Sequence, residues 1–148
     1  MNVYDFLEKS CILFPKGRDR TELLAEMARA ACSSGKVSDK RRFEQAVMER
    51  ESIMSTGIGL GVAVPHAKCA EIHDFFIVVA VLKEAADWDA IDGKPVRIVF
   101  LIGSPEGRQT DYLKLLSKIV LLVKNQARRE KIISSTTPEE VMAAFTSV

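Results

Sequence analysis

The chain has 148 residues, of which 47% are hydrophobic, enough for a single domain over residues 1–148 to bury one core without a metal or disulfide. Its 21 Lys and Arg against 20 Asp and Glu give a net charge of +1, which offers no bulk electrostatic case for binding nucleic acids or membranes. The N-terminus carries acidic groups, no apolar stretch reaches about 20 residues, and the three cysteines are irregularly spaced. We therefore expect a cytoplasmic protein with free thiols at Cys11, Cys32 and Cys69.

The N-terminal part of the chain predicts a short strand and two amphipathic helices. Residues 11–14 are apolar and end at a proline, which is typical of a strand. Asp19 and Glu22 form a capping box that begins a helix, and Gly35 ends it. Ser38 is the predicted cap of the second helix. The apolar stripes of the two helices contain Leu24, Met27, Ala28 and Ala31 in the first, and Phe43, Ala46, Val47 and Ile53 in the second.

The C-terminal part predicts central strands followed by helices. Residues 75–82 and 98–102 are continuous apolar runs of strand length, which indicates strands that are covered on both faces. Residues 112–123 have a helical apolar period that begins near Thr110 or Asp111. Thr137-Pro138-Glu139-Glu140 begins another helix. Helices on both sides of a sheet place the chain in the α/β class.

Residues 55–67 carry the clearest signal for chemistry. Glycines at 57, 59 and 61 let backbone amides approach an anion, and Ser55 and Thr56 add hydroxyl donors. Pro65 restricts the backbone before His66, so we expect the imidazole at a stiff strand end. This pattern is typical of a phosphoryl site.

The sequence leaves four interpretations of His66 open. It is an ordinary surface or core histidine, a metal ligand with Cys69 and His73, a base for a Cys69 nucleophile, or a histidine that itself carries a phosphoryl group. The spacing matches none of the usual zinc patterns, and no acid that would orient a Cys–His pair is evident. We expect neither a metal nor a cofactor.

The fourth interpretation suits the neighbouring residues. A neutral imidazole is a nucleophile near pH 7, and the phosphoramidate that it forms is labile. Transfer needs donors around the phosphoryl oxygens, which the glycine amides, Ser55, Thr56 and a guanidinium can provide. Arg50 is the candidate guanidinium, and we expect Glu51 to orient it. The alternative for Arg50 is the solvated end of a charged helix.

Other ligand sites fit the sequence less well. No Gly-Lys-Ser/Thr ends a P-loop, and the glycines follow a charged helical segment instead of the strand that a dinucleotide site requires. Asp87, Asp89 and Asp92 resemble a loose calcium loop, but the later Glu is missing and a turn explains them better.

The motifs together carry a resemblance to a known family. Arg50-Glu51, residues 55–59 and residues 62–67 are similar to the active-site signature of fructose/mannitol-type enzyme IIA domains in the bacterial phosphoenolpyruvate-dependent sugar phosphotransferase system. Residues 88–96, the 98–102 strand with Pro105, and the 113–123 helix follow in the family's order, so the resemblance covers nearly the whole chain.

The resemblance implies a three-layer α/β/α domain with a central mixed sheet, formed by residues 1–148. It also implies a phosphohistidine at His66 and a phosphotransferase activity. The phosphoryl group would come from the histidine-containing phosphocarrier protein and pass to the cysteine of a IIB domain. Nitrogen-related regulatory members share the signature. Neither nucleic acid nor membrane insertion is implied.

One position departs from the family pattern. The family has a second histidine at the start of the helix after Pro105, and Tyr112 occupies its place here. A phenol donates one hydrogen bond but brings no positive charge, so we expect slower transfer. We expect Tyr112 to line the phosphoryl site and His73 to lie on the surface.

Two functions follow from the resemblance. The first is a phosphocarrier that passes its phosphoryl group to a sugar-specific IIB component. The second is a regulatory protein whose phosphorylation at His66 controls binding to a target protein.

Overall fold

A computed structural model describes residues 2–31 and 34–146 of the chain, so Cys32 lies outside the described residues. Six strands form one mixed sheet in the order β1-β5-β6-β3-β2, with β4 also paired to β6. β1 and β5 are parallel, β5 and β6 are antiparallel, and β3 and β4 both run parallel to β6. The strands are β1 (Ile12–Leu13), β2 (Gly57–Gly59), β3 (Val62–Ala63), β4 (His66–Lys68), β5 (Phe76–Ala86) and β6 (Val96–Ser104).

The two long strands confirm the prediction from the apolar runs. β5 and β6 form the centre of the sheet and are buried along most of their length. At their junction Phe76 pairs with Gly103, and a Cβ on Gly103 would lie 2.2 Å from the Phe76 ring. A glycine is needed here because the ring occupies the space of a side chain.

One face of the sheet is covered by α1 (Arg20–Ala31) and α2 (Lys40–Ile53). The Asp19 carboxylate accepts the Glu22 N–H at 3.0 Å, as predicted for the start of α1. The cap of α2 is Asp39, which accepts the Arg42 N–H, and not Ser38. Ser38 fails as a cap because its hydroxyl donates to the Glu71 carbonyl instead. The predicted apolar stripe is also wrong at its end, since Ile53 is 78% exposed.

The other face is covered by α3 (Gln109–Val123), α4 (Gln126–Ile133) and α5 (Pro138–Ala143), together with a short 3-10 helix at Val3–Phe6. A second 3-10 helix, Lys9–Cys11, buries Cys11 in the core under α1 and α2. Thr137 caps α5 as predicted. α3 begins at Gln109, close to the predicted start near Thr110 or Asp111, and its cap residue, Arg108, makes no side-chain capping bond. α4 was not predicted from the sequence. The two covered faces confirm a three-layer α/β/α fold with a mixed central sheet.

Two short strands lie end to end along β6. β3 pairs with β6 at Ile98 and Val99, and β4 pairs with it from Ile102 onward. Pro65 separates the two strands because it has no N–H for the ladder, although its carbonyl still accepts the Ile102 N–H at 3.0 Å. His66 therefore begins β4, whereas the sequence predicted it at the end of a strand.

None of the described helices is long and apolar enough to cross a membrane.

Candidate functional site

The backbone on either side of Pro65 holds His66 in one orientation. Its Nδ1 lies 3.2 Å from the carbonyl oxygen of Val64. A carbonyl can only accept a hydrogen bond, so Nδ1 carries the proton and Nε2 keeps its lone pair. The half-buried imidazole is thus presented in the tautomer that has a nucleophilic Nε2.

The surroundings of His66 keep it neutral. Burial lowers the pKa of His66 below its ordinary value of 6.5, and the hydrogen bond to Val64 opposes this. The positive charges of Arg50 and Lys68 lower it further. A neutral imidazole at pH 7 is what a nucleophile requires.

His66 lies on the wall of an open cleft of about 580 Å³. The cleft brings together most of the residues that the sequence singled out, although they come from α2, β2, β4 and α3. The predicted site residues that line the cleft are Arg50, Ser55, Thr56, Gly57, His66 and Tyr112. Gly59 is absent from this lining, and a Cβ at this position would lie 3.3 Å from the Asp92 carboxylate and 3.6 Å from the Ile91 side chain.

Arg50 stands in the last turn of α2 and lines the cleft. Its Nη1 donates to the Met54 carbonyl at 2.9 Å, which fixes the side chain while leaving other guanidinium donors for a ligand. The expectation that Glu51 orients Arg50 is wrong. The reason is that the buried Glu51 carboxylate is occupied by other donors.

Glu51 instead ties the hydroxyl segment to the Trp88 loop. Its Oε2 accepts the Thr56 N–H at 2.8 Å, and its Oε1 accepts the Thr56 hydroxyl at 2.7 Å and the Trp88 Nε1–H at 2.9 Å. The Ser55 hydroxyl donates to the Trp88 carbonyl. Both hydroxyl protons are therefore committed to protein acceptors in this structure.

The glycine segment is a β-hairpin and not an open loop. β2 and β3 pair antiparallel with an irregular register between Gly57 and Gly59. The Gly57 N–H donates to Ser55 Oγ at 3.1 Å, and the Leu60 N–H donates to Asp92 Oδ2 at 3.2 Å. Contacts of Ser55, Thr56, Gly57 and Gly59 with phosphoryl oxygens remain predictions.

The acidic residues on both sides of Trp88 serve the turn, in line with the turn interpretation. Asp87 accepts the Asp89 N–H at 3.0 Å, and Asp92 accepts the N–H groups of Leu60 and Lys94. Asp89 adopts φ +52°, a left-handed conformation that Asp tolerates better than most residues.

Tyr112 lies in the first turn of α3 and faces the site. It is 3% exposed, and its ring centroid is 5.1 Å from that of His66, with the planes tilted by 43°. Burial raises the pKa of Tyr112 to about 12, so the phenol is neutral at physiological pH. The ring at this position offers a hydroxyl and an apolar face, but no charge.

Lys68 is a site residue that the sequence analysis missed. It follows His66 by two positions on β4, so the two side chains leave the same face of the strand. Its Nζ lies 4.6 Å from the centroid of the Tyr112 ring and donates to Gln109 Oε1 in α3. The two-residue spacing from His66 was the available signal.

The alternative sites around His66 gain no support. Cys69 is a free, buried thiol, and burial raises its pKa, which opposes the thiolate form that a nucleophile needs. His73 is exposed, as expected. Within residues 2–31 and 34–146, no group of three or more His, Cys, Asp or Glu side chains is placed to hold a metal ion.

The sequence of this chain is similar to those of phosphotransferase proteins. Residues 5–148 match the family model of the phosphoenolpyruvate-dependent sugar phosphotransferase system, EIIA 2. The chain is 35% identical over 114 residues to a fructose-like EIIA component of Escherichia coli, covering 76% of this chain and 77% of that protein. It is 32% identical over 130 residues to a nitrogen regulatory protein of Bradyrhizobium diazoefficiens, covering 88% of this chain and 84% of that protein.

The fold is similar as well. The crystal structure of nitrogen regulatory protein IIA-Ntr from Neisseria meningitidis matches with a TM-score of 0.89 at 26% identity, covering 97% of this chain and 98% of that one. Some relatives are longer: the chain spans 22% of the fructose-specific EIIABC component of Bacillus subtilis, at 29% identity.

Proposed function

Because the chain belongs to the EIIA 2 family of the phosphoenolpyruvate-dependent sugar phosphotransferase system, we propose that it is a phosphocarrier that accepts its phosphoryl group on Nε2 of His66. The observation that carries this proposal is the hydrogen bond from Nδ1 to the Val64 carbonyl, because it leaves Nε2 as the nucleophile beside the cleft. Residues 1–148 act as one IIA domain in this proposal.

The transfer step follows from that tautomer. The Nε2 lone pair forms the new N–P bond while the donor's own N–P bond breaks and its electron pair returns to the donor imidazole. The proton stays bonded to Nδ1 throughout, where it donates a hydrogen bond to the Val64 carbonyl. In the onward step a thiolate attacks phosphorus, and the electron pair of the Nε2–P bond returns to Nε2.

Arg50 and the neighbouring polar groups would stabilise the transferred group. The guanidinium of Arg50 lines the same cleft as His66 and has donors left after its bond to Met54. Ser55, Thr56 and the Gly57 amide line the cleft too, so a small rearrangement of their internal bonds would bring them to phosphoryl oxygens. Gly59 would act by shaping the hairpin.

We propose the histidine-containing phosphocarrier protein as donor and a IIB component as acceptor. Large exposed apolar side chains at the rim of the cleft support docking of proteins, since Met54 is 68% and Ile91 is 86% exposed. The reducing cytoplasm suits a thiolate acceptor, which agrees with the expected location.

A regulatory function is the second candidate. It is favoured by the similarity over most of both chains to the nitrogen regulatory proteins of Bradyrhizobium diazoefficiens and Neisseria meningitidis. In that case the phosphorylation state of His66 would control binding to a target protein. Tyr112 supports this candidate, because slow transfer suits a signal better than a transport flux.

The decisive experiment is labelling from radioactive phosphoenolpyruvate with the two general phosphotransferase proteins. We expect acid-labile labelling of the unmodified protein, its loss in His66→Ala, and its retention in His73→Ala, which removes the other histidine of the chain. Persistent labelling of His66→Ala would refute the acceptor assignment. Chase with a panel of IIB components then separates the functions, because a regulatory protein would keep its label.

A further inference from the structure

The Lys68 side chain places its positive charge against the ring at position 112. Its ammonium lies over the face of the Tyr112 ring at 4.6 Å, and the His66 ring lies 5.1 Å from the same ring. Gln109 Oε1 accepts a hydrogen bond from the ammonium. Tyr112 and Gln109, both in the first turn of α3, therefore hold the Lys68 charge beside His66.

The positive charge of Lys68 would balance negative charge on a phosphoryl group at His66. A phosphoryl group carries nearly two negative charges at neutral pH. Burial keeps Tyr112 neutral, so its phenol contributes no charge to balance them. Arg50 offers one positive charge, and one of its donors is already bound to the Met54 carbonyl. A second cation is therefore required to neutralise the group fully.

The charge of Lys68 is also available. The ion pairs of the described residues mostly join exposed side chains on the surface, and none of them involves Lys68. Among the described residues its hydrogen-bond partner is the neutral amide oxygen of Gln109, which competes weakly with a phosphoryl oxygen for the ammonium. The flexible lysine stem allows this exchange of partners.

We propose that Lys68 binds the phosphoryl group on His66 and supplies the positive charge that a histidine at position 112 would supply. Tyr112 serves as the platform that directs the ammonium toward the group. This inference rests on the proposed phosphorylation of His66.

The test compares two phosphoryl donors on three lysine variants. Phosphoramidate is a small donor that needs no docking surface, and the phosphorylated phosphocarrier protein is the large one. In Lys68→Met we expect labelling to slow about five- to tenfold with both donors. Lys68→Arg should keep most of the rate because it keeps the charge. Lys83→Met is the matched control, since Lys83 is exposed on β5 away from the β4 end of the sheet.

A rescue experiment tests whether a histidine at position 112 can replace the charge of Lys68. Adding Tyr112→His to Lys68→Met should restore the phosphoramidate rate at pH 6, where imidazole is largely protonated, and less so at pH 8. A normal phosphoramidate rate in Lys68→Met with a slow protein-donor rate would overturn the proposal, because Lys68 would then contact the donor protein. A double variant no faster than Lys68→Met at pH 6 would overturn it too.

The failure of the underlying function would look different. If the unmodified protein took no label at His66 from either donor, both the proposed function and this inference would fall. If it were labelled normally and Lys68→Met matched it with both donors, the role of Lys68 alone would fall. In a supporting result, the pKa of His66 measured by nuclear magnetic resonance also rises in Lys68→Met, because a nearby positive charge is lost.

Discussion

The position of one proton decides what His66 can do. Nδ1 is paired with a neutral carbonyl and not with a carboxylate. A carboxylate would favour the imidazolium form and hold positive charge on the ring, whereas the Val64 carbonyl selects the tautomer and raises the pKa of His66 by less than burial lowers it. This arrangement supports the proposed role of His66 in taking up and releasing a phosphoryl group.

Arg50 gives the first prediction beyond His66. Arg50→Lys keeps the charge but loses the planar fork that donates to the Met54 carbonyl and, in the proposed function, would also donate to a phosphoryl oxygen. We expect labelling of His66 to slow about tenfold, which corresponds to roughly 1.4 kcal/mol of transition-state stabilisation. Single-turnover labelling measures this. Arg41→Lys, an exposed position on the same helix, is the control, and an unchanged rate in Arg50→Lys would place that side chain on the solvated surface.

Tyr112 gives the second prediction. Tyr112→Phe removes one hydroxyl and keeps the ring beneath Lys68, so transfer should slow about fivefold at most, as expected for one hydrogen bond of about 1 kcal/mol. Tyr112→His should raise the rate of transfer to His66, since imidazole can carry a charge. Single-turnover rates and melting temperatures of both variants are the measurements. Two unchanged rates with lowered melting temperatures would mean that Tyr112 only packs.

The hydrogen bonds of Glu51 join three separate segments. Helix α2 carries the carboxylate, the segment before β2 carries Thr56, and the loop after β5 carries Trp88. Arg20 adds a bond from α1 to the Trp88 carbonyl at 2.9 Å. The wall of the cleft is therefore positioned by a buried polar network rather than by strand pairing alone.

Replacement of this carboxylate tests the network. Glu51→Gln keeps the shape of the side chain but turns an amide group toward donors, so we expect the free energy of unfolding to fall by about 2 kcal/mol. Urea unfolding followed by the emission of Trp88, the single tryptophan, measures the loss. Glu49→Gln, exposed on the same helix, should change it by less than about 0.5 kcal/mol. Equal stability of the two variants would contradict the structural role of Glu51.

The elements differ in how far the sequence predicts them. The runs that became β5 and β6 were clear because a strand buried on both faces must be apolar throughout. The cap at Thr137 was clear because its bonds are local. α4 was not predicted because it has one fully buried residue, Ile132, and its apolar residues follow a helical period only weakly.

The residues of the candidate site were also predictable only in part. His66, Arg50 and Tyr112 were predicted because their residue types suit phosphoryl chemistry and match the family's order. The partners of Glu51 could not be predicted, because one of them, Trp88, lies far along the chain. The cap at Asp39 was missed because two neighbouring residues can both cap a helix, and a distant carbonyl at Glu71 decided between them.

The whole fold converges on the site. Strand β6 carries β3 and β4 end to end, so His66 emerges where the strand ladder is interrupted, between helices of both outer layers. α2 supplies Arg50 from one layer, and α3 supplies Tyr112 from the other. The cleft exists only in the assembled sheet. Burying a charged group in the cleft therefore lowers the free energy of unfolding of the whole molecule.

The pH dependence of stability tests this link. The pKa of His66 is lowered in the folded state, by burial first and then by Arg50 and Lys68, with the Val64 hydrogen bond and, more weakly, Glu51 opposing, while the unfolded chain keeps a value near 6.5. As pH falls below 6.5 the unfolded state binds a proton that the folded state refuses, so the free energy of unfolding should fall until the folded pKa is passed. Above that range His66 is neutral in both states and has no effect. Urea unfolding between pH 8 and pH 5 should show this decline in the unmodified protein and a smaller one in His66→Gln, which has no group to titrate. Parallel curves would mean that His66 titrates alike in both states, and that the fold does not hold its imidazole neutral.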